Sequence, residues 1–113
     1  IEVNLMLTID GKKISLSKGD TFDVTFAVNG YRLKDGDSVI FSIKNTANSS
    51  NVLMKKIYTT FINNKVRVQI SAEEMESLTI GSKVYDLVCI TGDVKVTLNY
   101  PANLVIKEVV HNE

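Results

Sequence analysis

Thr21-Phe22-Asp23-Val24-Thr25-Phe26-Ala27-Val28 alternates strictly, with Phe22, Val24, Phe26 and Val28 on one face and Thr21, Asp23, Thr25 and Ala27 on the other. Successive side chains of an extended strand point to opposite faces, so a repeat of two describes a strand with one face in a core and one face wet. A helix would gather its apolar residues at spacings of three and four. The same repeat returns along the chain. Val39, Phe41 and Ile43 oppose Ser42 and Lys44; Val66, Val68 and Ile70 oppose Lys65, Arg67 and Gln69; Val94, Val96, Leu98 and Tyr100 oppose Lys95, Thr97 and Asn99. These patterns predict antiparallel strands over 21–28, 38–44, 65–70 and 94–100.

Working outward, further strands are expected at 2–9, 13–16, 51–61, 83–91 and 103–110. The 83–91 run is apolar on both faces, as a central strand should be. Turn chemistry fills the gaps: Asp10-Gly11, Lys18-Gly19-Asp20, Asn29-Gly30, Asp35-Gly36-Asp37, Asn63-Asn64, Gly81 and Gly92-Asp93. Gly and Asn tolerate positive φ, and Asp and Asn close turns through their own side chains. One segment breaks the pattern. Ser71-Ala72-Glu73-Glu74-Met75-Glu76-Ser77-Leu78 places Glu three residues after a Ser, a capping box, with Met75 and Leu78 spaced to pack a helical turn onto the sheets. The reading is an all-β, antiparallel, Ig-like β-sandwich of seven to nine strands, a single domain over 1–113, with one short helical turn at 71–78.

Bulk composition agrees with one such domain. The chain has 113 residues, 44% hydrophobic and 23% charged, with 13 basic and 13 acidic side chains and a formal net charge of zero. A balanced charge with scattered Lys and Arg argues against a nucleic-acid binder built on a basic stripe. No apolar run is long enough to span a bilayer, so neither membrane insertion nor a leader of the secretory type is expected. The first residue is Ile1 rather than Met, which reads as a processed product or a piece of a longer chain.

Catalytic and metal chemistry find little to work with. The single cysteine, Cys89, lies in an apolar strand and reads as a small buried hydrophobe; the single histidine, His111, lies in the tail. Asp20, Asp35 and Asp37 could offer oxygen to calcium, but the spacing lacks the regular ligands of an EF-hand loop and reads as a polar turn. Glu73, Glu74 and Glu76 could be paired for glycoside chemistry, and the helical cap explains them better. No nucleophile elbow, phosphate loop or dinucleotide fingerprint is present. The expectation is a protein that is not an enzyme and needs no cofactor or metal.

Two places suit an interface. Tyr31 and Arg32, in Asn29-Gly30-Tyr31-Arg32-Leu33, read as an aromatic and a cation on a loop, the residue types that dominate binding hot spots; the structural alternative is a loop anchor folded over the sandwich end. Leu104-Val105-Ile106-Lys107-Glu108-Val109-Val110 is apolar on both faces, so the face carrying Val105 and Val109 is covered either by a neighbouring subunit, making a homo-oligomer, or by the N-terminal strand. Leu53-Met54-Lys55-Lys56-Ile57-Tyr58 interrupts an apolar run with two lysines, as an edge strand blocked against aggregation does. Tyr85, opening a central strand after the helical turn, is similar to the tyrosine corner of Ig-type sandwiches and is expected to pack in the core.

The order of these pieces resembles a known family. Lys18-Gly19-Asp20-Thr21-Phe22 running into Asp23-Val24-Thr25-Phe26, then Gly36-Asp37-Ser38-Val39-Ile40-Phe41-Ser42-Ile43-Lys44, then Asn64-Lys65-Val66-Arg67-Val68-Gln69-Ile70 with the capped turn, then Gly81-Ser82-Lys83-Val84-Tyr85-Asp86-Leu87 and Gly92-Asp93-Val94-Lys95-Val96-Thr97-Leu98 are similar to the N-terminal β-sandwich domain of phage baseplate upper proteins and tail-fibre-like proteins of phages of Gram-positive bacteria. The resemblance spans roughly residues 14–109. It implies a virion structural protein that anchors or links other tail or baseplate proteins, of phage or prophage origin, and brings no catalytic residue with it. The alternative is an Ig-like carbohydrate- or ligand-binding module of a bacterial surface or secreted protein, extracellular rather than in a virion. The absence of Trp weighs against a glycan platform.

Overall fold

The computed structural model describes residues 2–3, 7–10 and 13–108, with side chains for 13–98 and 102–108. Over these residues the protein is an all-β sandwich of two packed sheets. The strands are β1 (Glu2–Val3), β2 (Leu7–Asp10), β3 (Lys13–Ser17), β4 (Phe22–Ala27), β5 (Ser38–Lys44), β6 (Val52–Tyr58), β7 (Lys65–Ile70), β8 (Gly81–Thr91) and β9 (Val94–Lys107), with the helical turn α1 (Ala72–Met75) between β7 and β8. One sheet has the order β1-β4-β7, the other β2-β3-β9-β8-β5-β6.

Alternation produces the core directly. Phe22, Val24 and Phe26 of β4, with Val66, Val68 and Ile70 of β7, turn inward against Val39, Phe41 and Ile43 of β5 and Tyr85, Leu87 and Cys89 of β8; all are buried. Four rings tie the two sheets together. Phe22 lies 5.4 Å from Phe41, and Phe26 and Phe41 each lie 5.8 Å from Tyr85, all in tilted arrangements that aromatic quadrupoles favour. Tyr85 thus packs in the core, only 1% exposed.

Two expectations need correction. The sandwich is not wholly antiparallel: β3 runs parallel to β9, with Ile14 beside Leu104 and Leu16 beside Ile106. Parallel neighbours need a long crossover, and here the rest of the sandwich supplies it. The segments 94–100 and 103–110 are not separate strands either, because β9 continues from Val94 to Lys107. Pro101, which has no N–H to give a ladder, falls where the β8–β9 register jumps from Tyr85↔Ala102 to Leu87↔Asn99. A proline fits inside a sheet at such an irregularity and not within a regular ladder.

The ends of the sheets are fastened by side chains. Ser71 accepts from the Glu74 amide at 3.1 Å and Glu74 accepts from the Ser71 amide at 3.2 Å, the expected capping box. Lys18 Nζ donates to the carbonyls of Glu76 (2.8 Å) and Leu78 (3.0 Å), satisfying groups that the end of the turn leaves open. β6 is an outermost strand of the larger sheet, and its flank is tied across to the smaller one. The Gln69 amide donates to the Tyr58 hydroxyl (3.3 Å), and Lys56 is ion-paired with Glu74.

Candidate functional site

The loop joining β4 to β5 is built around two buried or half-buried polar side chains. Asn63 and Asn64 both adopt left-handed backbone, φ 53 and 58, as the central pair of a tight turn between Ile62 and Lys65. From that turn Asn64 reaches across to the 28–33 segment. Its Oδ1 accepts from the Leu33 amide at 2.7 Å, and its Nδ2 donates to the carbonyls of Val28 (2.9 Å) and Tyr31 (2.8 Å). The second anchor is Asp37, 1% exposed. Its Oδ2 accepts from the Tyr31 hydroxyl (3.0 Å) and the Lys34 amide (3.1 Å), and Lys34 Nζ donates to the Tyr31 oxygen at 3.0 Å. Between them the chain makes a turn in which the Asp37 amide donates to the Lys34 carbonyl, with Gly36 at φ +93, a conformation that type II turns reserve for glycine.

The electrostatics follow from this packing. Burial alone would push the Asp37 carboxyl up. The Lys34 amide, the Thr91 and Tyr31 hydroxyls and the Lys34 charge outweigh it and hold the group below its ordinary value. Cys89 lies against the same carboxylate. Its thiol is pushed up first by burial and then by the Asp37 charge, with the Tyr31 hydroxyl opposing. A thiol so placed stays protonated and is a poor nucleophile. Cys89 is therefore buried, as its sequence context implies, but among polar neighbours rather than in a purely apolar pocket.

Outside these anchors lies a shallow, open depression lined by Gly30, Tyr31, Arg32, Leu33, Phe61, Asn63 and Asn64. Arg32, which lines it, is exposed, and Ile62, in the turn that supplies Asn63 and Asn64, is 73% exposed. Tyr31 is half-buried and its hydroxyl is committed to Asp37, so it acts as the loop anchor, and Arg32 is the freer of the two residues expected at an interface. Val105 sits elsewhere. It pairs with Ser15 on one side and Ser82 on the other, half-buried on the outer face of the larger sheet. Ser82 lies next to the start of β8 and Thr91, beside Asp37, closes it, so Val105 and Tyr31 are separated by about 30 Å of strand. Val109 lies outside the described residues.

The carboxylates singled out by spacing are not gathered. Asp20 accepts from the Ser17 amide, next to Lys107 at the far end of the sandwich from Asp35 and Asp37. Glu74 serves the cap and Lys56, and Glu76 faces Lys18 at 3.5 Å. Among the described residues no group of three or more His, Cys, Asp or Glu is placed to hold a metal ion, and no helix is long and apolar enough to cross a membrane. A second recess, beside Ser42, Lys44, Val84 and Asp86, has room for about one water molecule.

Sequence reasoning missed Asp37 and Asn64 as site-building residues. The signal for Asp37 was parity: 37 shares its face with 39, 41 and 43, so the strand pattern already aimed it inward. For Asn64 no local signal distinguishes a turn asparagine from one that also bonds a distant loop. Comparison with protein-family models, curated proteins and solved structures finds no match for this chain.

Proposed function

We propose that the protein is a non-enzymatic linking module, a phage or prophage tail or baseplate component whose loop end binds another virion protein. The observation that carries this reading is how the polar groups at that end are used. Asn64, Asp37 and Tyr31 are occupied in fixing the 28–37 loop, and the fixed loop offers Arg32 and, from the neighbouring turn, Ile62 to solvent. A rigid support under an exposed cation and an exposed aliphatic group loses little entropy on binding, which favours protein recognition.

The order of the strands supports an Ig-like build. The short sheet β1-β4-β7 faces the sheet β2-β3-β9-β8-β5-β6, and α1 links one sheet to the other. The virion assignment rests on the resemblance of the strand and turn motifs, and the extracellular binding module is its alternative.

The test is direct. Purified virions from the source phage or an induced prophage should contain the chain stoichiometrically, bound to a neighbouring tail protein. Arg32→Ala with Ile62→Ser should weaken that binding at least tenfold without changing the melting temperature, on the scale of about 2 kcal/mol for a pair of hot-spot residues. Absence from virions, together with saturable binding on a glycan array, would favour the surface-module reading.

A further inference from the structure

The outer face of the larger sheet carries a second surface. The pairings Ile57↔Ile40 and Ile40↔Val88 lay an aliphatic stripe across β6, β5 and β8. Alternation settles which way it points: Val39, Phe41, Leu87 and Cys89 are buried in the core, so Ile40, Ser42, Asp86 and Val88 face outward. Ile57 is 57% exposed. Lysines border the stripe on both sides. Lys55 stands opposite Ser42 in the next row, Lys44 follows at the end of β5, and Lys95 stands opposite Ile90 beyond the other edge. Among the described side chains Asp86 is the acid that the alternation places with them. The salt bridges among the described residues use other cations, Lys18, Lys34, Lys56 and Arg67. The whole chain is neutral, and three lysines against Asp86, with Asp93 in the turn before Lys95, leave this face net positive.

We infer that this face docks a protein surface with an apolar centre and a rim of Asp and Glu. The inference goes beyond the loop-end reading, because its residues belong to the sheet and not to the loops. Charge complementarity selects the occupant. A second copy placed face to face would bring three lysines on each side against a single strand aspartate, an excess of like charge. Nucleic acid needs cations where its phosphates run, and here the middle of the face is aliphatic. A half-exposed aliphatic stripe with a net-positive border fits the apolar centre and polar rim of a protein interface.

An immobilised peptide alternating Glu and Leu serves as the probe, with the whole chain in solution. Saturable binding is expected, falling about tenfold as salt rises from about 0.05 to 0.3 M. The double variant Lys55→Glu with Lys95→Glu should lose binding at least tenfold with an unchanged melting temperature. Ile57→Ser should weaken it at constant charge, and amide shifts should centre on Ile40, Ser42 and Val88. Arg32→Ala should leave it untouched, which separates failure here from failure at the loop end. Tighter binding to duplex DNA than to the peptide, self-association abolished by the same double variant, shifts confined to 28–37, or no binding at all would each overturn the inference.

Discussion

Asn64 combines a left-handed backbone with three side-chain hydrogen bonds to a loop more than thirty residues away. Asn64→Ala removes the bonds and puts in a residue that tolerates positive φ less well than Asn, so it should cost roughly 2 kcal/mol or more, read as a lower midpoint in urea. Asn64→Gly relieves the backbone alone and should recover only a fraction. Two aspartates make opposite statements about pH. Folding lowers the pKa of Asp37, so its contribution is present above the unfolded value, about 4, and is lost as pH falls through the folded value. Asp86 is raised, chiefly by burial, against the pull of Lys44 and Lys95. Its ionisation therefore costs stability, a cost absent below about pH 4 and complete once pH exceeds the raised folded value. Melting curves at pH 7 and pH 3 separate the two: Asp37→Asn should lower the melting temperature at pH 7 and Asp86→Asn should raise it there, with both differences shrinking at pH 3. A melting temperature for Asp86→Asn below that of the parent at pH 7 would contradict this account.

At the scale of the element, the helical turn and the edge strand show how much a few contacts hold. α1 is only four residues long, too short to persist on propensity, and stands because Ser71 and Glu74 cap one end and Lys18 covers the other. Ser71→Ala should cost about 1 kcal/mol in denaturant titration, and Ser71→Asp should restore most of it. The same turn carries Glu74 to Lys56 on β6, so losing the cap also loosens the edge. This element was legible in the sequence because a capping box is a local pattern. The merging of two expected strands into β9 was not. Pro101 reads locally as a break, and only the irregular register against β8 accommodates it.

At the scale of the molecule, two sheets are joined through Phe22 and Phe26 on one side and Phe41 and Tyr85 on the other. Phe41 touches all three other rings, so Phe41→Ala should cost about 3–5 kcal/mol, comparable with the whole stability of a small domain, and leave a protein largely unfolded at physiological temperature by circular dichroism. The sequence by itself determined β4, β5 and β7 and the face each one buries, because side-chain alternation is a property of the extended backbone and needs no partner. It also determined the capped turn, whose bonds lie within three residues. Only the tertiary structure decided the rest. The parallel pairing of β3 with β9 joins residues ninety positions apart. Asp37 and Asn64 acquire their roles from carbonyls and hydroxyls on other segments, and lysines separated along the chain become one basic face because neighbouring strands bring their outward positions side by side. Pairing between strands is long-range, and no local pattern encodes which outward residues will meet.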